Sequence, residues 1–131
     1  MFIRLLLLFT ALPLLELFVL LKVGAAIGLF NTIILVIATA IVGAYYAKRE
    51  GIQTLSRIRR QLAMGVLPAD ELIDGVLILA AALMLVTPGL ITDTLGFCLL
   101  IPFTRRYIRE IVKQWMNNRI NHGGVWIRRG A

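Results

Sequence analysis

The sequence has few of the residues from which most catalytic and metal sites are built. Its 131 residues include one cysteine, one histidine and seven acids. A single cysteine cannot form an intrachain disulfide, and Cys98 lies in an apolar run, which favours a packing role. The sequence shows no metal-ligand cluster, phosphate-binding loop or nucleophile with a neighbouring base. These absences argue against an enzyme and predict neither metal nor cofactor.

Acidic charge is scarce beside basic charge, with seven acids against fourteen lysines and arginines. Twelve of these basic residues form two blocks, 48–60 and 105–129, that flank apolar segments. Anionic lipid headgroups are a simpler counter-charge for such blocks than nucleic acid. The predicted partners are therefore membrane lipids, with a membrane-protein partner or a homo-oligomer as the alternative. The residues predicted to contact headgroups or a partner are Lys48, Arg49, Arg57, Arg59, Arg60, Arg105, Arg106, Arg109 and Lys113.

Long apolar runs dominate what is present. Hydrophobic residues make up 60% of the chain, more than a soluble domain of this length can hide from water. A bilayer core of roughly 30 Å needs about 20 apolar residues of helix. We predict a membrane domain over 1–104, with an uncleaved first span at 2–23 and a second at 29–47. A tight external turn at 24–28 would join them.

Two segments have apolar residues at helical spacing opposite basic ones. Over 50–64 the apolar positions are Ile52, Leu55, Ile58 and Leu62. A similar pattern begins at residue 105, and a mobile tail is predicted to follow it to residue 131. Basic amphipathic helices of this kind lie in the headgroup layer. The predicted fold is all-α: integral membrane helical hairpins with two basic amphipathic interfacial helices.

A further helical hairpin is predicted over 69–103. It should turn at Pro88 and Gly89, because proline lacks an amide proton and disfavours helix before it. Both ends of the hairpin are basic, which places both in the cytoplasm. The hairpin then either makes two thin spans or turns back within the membrane, and the sequence leaves both interpretations open.

Two carboxylates lie inside apolar runs, Glu16 after Pro13 and Asp93 after Pro88. An ionised acid at mid-membrane costs roughly 2.5–3.5 kcal/mol, so each needs a partner, a proton or water. They are interpreted either as a polar lock between hairpins, with Asp93 capping the helix that begins near Leu90, or as a site that handles protons or ions. The predicted polar sites are Pro13, Glu16, Pro88, Gly89, Thr92, Asp93 and Gly96.

Small residues recur at fourfold spacing in the second span, at Thr39, Gly43 and Ala47. Such spacing lets two helix backbones approach closely in lipid. Ordinary apolar composition explains it equally well.

Several of these motifs together resemble the FxsA family of bacterial membrane proteins. They are Pro13-Leu14-Leu15-Glu16, Gly43-Ala44 followed by Lys48-Arg49, Asp74-Gly75, and the run from Pro88-Gly89 through Thr92-Asp93-Thr94 to Gly96, ending at Pro102. The resemblance covers about 5–106. It implies a cytoplasmic-membrane protein with no established catalytic activity, in a family named for suppression of F-plasmid exclusion of a phage. No family active site is carried over.

The predicted function is that of a non-enzymatic integral membrane protein acting through lipid or protein contacts. The alternative is a small oligomeric transporter or channel that uses its intramembrane acids. The predicted location is the bacterial inner membrane, multi-pass, with both termini cytoplasmic.

Overall fold

The computed structural model describes residues 1–122, and within that range every regular element is an α-helix. This confirms the all-α prediction. The helices run in the order α1 (Phe2–Ile27), α2 (Leu29–Ala63), α3 (Ala69–Val86), α4 (Leu90–Leu100) and α5 (Pro102–His122). Part of the predicted mobile tail, 117–122, continues α5, and the rest lies outside the described residues.

α1 and α2 form a hairpin whose connection is a single residue. Gly28 has a φ of 93°, a conformation that suits glycine because it has no Cβ. α1 continues to Ile27, so the predicted turn at 24–28 is one residue long. The side-chain amide of Asn31 donates to the Ile27 carbonyl oxygen at 2.8 Å and so serves one of the last carbonyls of α1.

α2 is one continuous helix of 35 residues, about 52 Å long. The separate helix predicted over 50–64 is therefore the second part of α2. Nothing between Ala47 and Gly51 breaks the backbone hydrogen bonding, and the basic segment continues the second apolar run. The helix ends at Ala63, where Gly65 turns the chain with a φ of 71°.

α3 and α4 form the second hairpin. α3 ends at Val86 and α4 begins at Leu90, on either side of Pro88 and Gly89. α4 has 11 residues and is about 17 Å long, too short to cross a hydrocarbon core of roughly 30 Å. Two described helices, α1 and α2, are long and apolar enough to cross a membrane.

The apolar core is small and lies between α2, α3 and α4. Leu85 of α3 is 3% exposed and lies between Gly43 of α2 and Gly96 of α4. A Cβ on Gly43 would come within 2.7 Å of the Leu85 side chain, and one on Gly96 within 2.9 Å. Gly43, the middle member of the small-residue series of α2, thus packs within the chain. Most large apolar side chains of α1 and α2 are exposed, as is expected where lipid is the solvent.

Candidate functional site

The tip of the second hairpin, residues 87–93, is tied to α1 by one carboxylate. Glu16 is buried, and its two oxygens accept hydrogen bonds from the N–H of Ile91 at 3.1 Å and of Thr92 at 2.6 Å. The first amides of a helix have no partner within it and carry partial positive charge. Glu16 therefore caps α4 from another helix.

Gly89 makes room for that carboxylate. A Cβ on Gly89 would overlap the Glu16 carboxyl group. Its φ of −175° is extended backbone that any residue adopts, so close approach explains the glycine. Its neighbour Pro88 is exposed and lacks an amide, which leaves the turn one donor fewer to satisfy. Thr92 donates its hydroxyl to the Gly89 carbonyl oxygen at 3.2 Å and closes the tip.

Asp93 connects the tip to α2. The Thr39 hydroxyl donates to Asp93 Oδ2 at 2.8 Å, and Asp93 is 3% exposed. Asp93 Oδ1 has no hydrogen-bond partner among the described residues. The prediction that Asp93 caps α4 is corrected, because Glu16 occupies the amides that Asp93 was expected to serve. Thr39 was missed as a partner, since its pairing with Asp93 spans 54 positions.

The level of the tip along α1 follows from the position of Glu16 in that helix. Glu16 lies about 21 Å from the Phe2 end and about 17 Å from the Ile27 end of that helix. α4 therefore begins level with the middle of α1. Pro13 lies one turn before Glu16 without interrupting α1.

A set of three ion pairs, here called the ladder, joins α5 to α2 and α3. Arg105 pairs with Glu50 at 2.6 Å, Arg109 with Asp74 at 2.9 Å, and Lys113 with Asp70. The three cations are four residues apart on one face of α5. Asp70 and Asp74 have the same spacing on α3 and meet α5 in antiparallel order. That matched spacing is a sequence signal for the pairing.

Arg105 is the most enclosed member of the ladder. It is 2% exposed, and its Nη1 donates to the Leu100 carbonyl oxygen at 2.9 Å, near the end of α4. The prediction that Arg105 contacts headgroups or a partner is therefore corrected: its guanidinium serves an interior ion pair and a helix end. At the outer end of the ladder, the Lys113 hydrogen bond holds the pKa of Asp70 below its ordinary value.

Six of the seven acids make contacts within the molecule. Three form the ion pairs of the ladder, and Glu16 and Asp93 make the hydrogen bonds that hold the tip. Glu71 accepts a hydrogen bond from Gln61 at 2.6 Å. The other cations of residues 1–120 are exposed and make no ion pair there. Apart from Arg4, Lys22 and Arg119, they are Lys48, Arg49, Arg57, Arg59, Arg60 and Arg106. This set is called the free basic surface.

Two cavities open on the helix surfaces. One of about 470 Å³ lies between α1 and the tip, with Glu16, Pro88 and Thr92 in its wall. The other is a groove of about 810 Å³ between α2 and α3. Within residues 1–122 no three histidine, cysteine, aspartate or glutamate side chains cluster as metal ligands would.

Exposed apolar helices, a short hairpin and polar contacts kept inside the fold are typical of a helical membrane protein. The family model described as "FxsA cytoplasmic membrane protein" matches residues 7–115. The chain belongs to this family. The match includes every residue of the tip and the ladder.

Curated relatives agree with the family match. The chain is 38% identical over 122 residues to UPF0716 protein YtzA of Bacillus subtilis, covering 93% of this chain and 96% of that protein. It is 35% identical over 97 residues to UPF0716 protein FxsA of Serratia marcescens, with 74% and 70% covered. It is 31% identical over 93 residues to UPF0716 protein FxsA of Escherichia coli, with 71% and 59% covered. No solved structure matches.

Proposed function

We propose that the chain is a non-enzymatic, multi-pass protein of the bacterial cytoplasmic membrane that acts through contacts of its free basic surface. The observation that carries this is the division of charge. Six of the seven acids are engaged inside the molecule, so the cations of the free basic surface have no internal counter-charge. Anionic headgroups supply one, at about 1 kcal/mol for each basic residue near the surface.

The proposed topology places α1 and α2 across the bilayer and both termini in the cytoplasm. The α3–α4 hairpin enters from the cytoplasmic side and turns back near the middle of the membrane. Two features support this: α4 is too short to span, and its first turn lies level with the middle of α1. Irregular backbone at that depth requires protein cover, which Glu16 and Thr39 provide.

Reporter fusions test the topology. Fusions at Gly65 and after Ala131 should both report the cytoplasm, because basic residues flank both sites. A fusion in the turn at Gly28 should report the outside. An external signal from Gly65 or Ala131 would contradict the proposal.

Lipid dependence tests the lipid contacts. The purified full chain, placed in nanodiscs, should melt at a higher temperature in phosphatidylglycerol than in phosphatidylcholine of the same acyl chains. Replacing Arg49, Arg59, Arg60 and Arg106 by glutamine should remove most of that difference. Glu110→Gln, also exposed, is the control and should leave the difference unchanged. A wild-type chain that melts equally in both lipids would exclude the lipid contacts.

A protein partner extends this proposal. Suppression of phage exclusion, the effect for which the family is named, would follow if the free basic surface sequestered a membrane-associated protein carrying acidic residues. Expression in an F-carrying host should then restore phage plating, and the glutamine variant above should restore it less. Equal plating by both proteins, at equal membrane levels, would separate the effect from this surface.

The second candidate function is a small oligomeric transporter or channel. The cavity of about 470 Å³ beside Glu16 favours it, because carboxylates near broken helices form transport sites. One chain has too few membrane helices to enclose a transport path, so this function requires an oligomer. Native mass spectrometry that finds only monomers, with no ion or proton flux in proteoliposomes, would exclude it. Flux abolished by Glu16→Gln in a stable oligomer would favour it.

A further inference from the structure

The lining of the groove between α2 and α3 combines apolar residues with a single cation. Most of its lining is apolar and much of it small, including Ala40, Ala44 and Ala82. Lys48 is the single charged residue among the fifteen that line it, and no acid is among them. The volume of about 810 Å³ lies within the range of pockets that hold small ligands, about 300–1,000 Å³.

The groove runs lengthwise along the helices. It extends along α2 from Ala40 to Ile58, about 27 Å, with Lys48 between its two ends. The part from Ala40 to Lys48 belongs to the apolar segment of α2, and Tyr45 and Tyr46 lie beside it at a position typical of an interfacial aromatic belt. The groove therefore joins a stretch within the hydrocarbon to one at headgroup level.

Lys48 is available to an outside ligand. It is exposed and makes no ion pair within the described residues. The ammonium of Lys48, in the lining of an apolar groove, matches the charge of a phosphate joined to an acyl chain.

We propose that this groove binds one anionic phospholipid. An acyl chain lies against Ala44 and Ala82, and the phosphate meets Lys48. The proposal rests on the membrane location and lipid contacts proposed above, and assigns one bound lipid to one site. It differs from the general attraction of the free basic surface because it requires the apolar groove as well as the charge.

The test is native mass spectrometry of the full chain released from nanodiscs that contain equal amounts of phosphatidylglycerol and phosphatidylcholine. The wild type should retain one phosphatidylglycerol. Lys48→Gln should reduce that adduct about fivefold. Lys22→Gln, which removes one exposed cation outside both the groove lining and the free basic surface, should leave it nearly unchanged. Ala44→Leu should fill the groove and remove the adduct, whereas Ala38→Leu, exposed and outside the groove, should not.

The outcomes are distinct. If Lys48→Gln and Ala44→Leu both retain the adduct, the groove site is wrong. The wider lipid proposal then still stands, provided that the quadruple glutamine variant loses its phosphatidylglycerol-dependent melting. If the wild type is a dimer that Ala44→Leu converts to a monomer, a second copy occupies the groove, and the lipid assignment is overturned. Equal melting temperatures of Ala44→Leu and Ala38→Leu show that the chain still folds when the groove is filled.

Discussion

Glu16 caps the N-terminus of α4, a role that a residue of the capped segment itself usually fills. Both carboxylate oxygens are used, one for the N–H of Ile91 and one for the N–H of Thr92. An acid suits this position better than a neutral acceptor, because it also meets the positive end of the α4 dipole. The tip therefore requires the carboxylate for a structural reason, independent of any transport role.

Substitution of Glu16 tests its role as a cap. Glutamine keeps one acceptor oxygen and should cost about 1 kcal/mol of unfolding free energy, whereas leucine loses both acceptors and should cost about 2 kcal/mol or more. Unfolding of the full chain in detergent measures both, with Glu110→Gln as an exposed control. If glutamine and leucine cost the same, the two-oxygen cap is not what stabilises the tip.

A methyl group at Gly89 should disturb the same contact. Gly89→Ala places a Cβ on the Glu16 carboxylate and should destabilise the chain by about 1–3 kcal/mol, as overpacking does. Gly24→Ala is the matched control inside α1, since its Cβ would be 3.7 Å from Thr32 Oγ1 of α2, an ordinary van der Waals contact. There alanine should be neutral or stabilising. A tolerated Gly89→Ala would mean that the tip relaxes away from α1.

At the scale of elements, the ladder determines where α5 lies. α5 presents Arg105, Arg109 and Lys113 to α2 and α3, while its aromatic residues remain exposed. A basic amphipathic helix is ordinarily expected to turn its charge toward headgroups. Here the acids of α2 and α3 hold those cations in ion pairs in place of the headgroups. The aromatic side of α5 therefore faces outward.

The outer pair of the ladder predicts how stability depends on pH. The pKa of Asp70 is lowered by its hydrogen bond and charge contact with Lys113, so the pair stabilises the folded chain above the ordinary value of 3.8. That stabilisation is lost as pH falls through the lowered folded value. Asp70→Asn should therefore melt below the wild type at pH 7, and the difference should shrink below about pH 4. A difference that stays constant from pH 7 to pH 3 would contradict the pairing.

Helix ends were more predictable than helix partners. Pro88 and Gly65 mark real ends because their local chemistry interrupts the helical hydrogen bonds, which sequence alone reveals. The continuity of α2 was not evident, since apolar spacing over 50–62 suits a separate helix and a continued one equally. Arg105 was assigned to headgroups because spacing indicates which face a cation occupies and not which acid lies opposite. The pairing of Thr39 with Asp93 depends on the packing of α2 against α4, which no local pattern specifies.

At the scale of the whole molecule, the proposed topology makes the two hairpins unequal. The first crosses the bilayer through α1 and α2, and the second turns back near its middle. Exposed residues at the two turns should therefore differ in their access to water, although Ala26 and Thr87 are both exposed in the isolated chain.

Cysteine labelling measures that difference. On a Cys98→Ser background, a cysteine at Ala26 should react with a membrane-impermeant maleimide added outside the cell. A cysteine at Thr87 should not react from that side, because hydrocarbon covers it. Detergent-solubilised protein should react at both positions, which controls for intrinsic reactivity. External labelling of Thr87 at the rate of Ala26 would show that the second hairpin crosses completely.

The long separation between Glu16 and the amides it caps has a consequence for biogenesis. Thr92 follows Glu16 by 76 positions, so α1 is synthesised long before α4 exists. Until then the acid has no helix to cap, and in the proposed topology its burial in hydrocarbon is costly. When the tip packs against α1, its amides donate to Glu16 and offset that cost. The same hydrogen bonds cap α4. Chains halted before Leu90 should therefore hold α1 less securely in the bilayer than chains that include α4, because the later hairpin completes the contacts of the earlier helix.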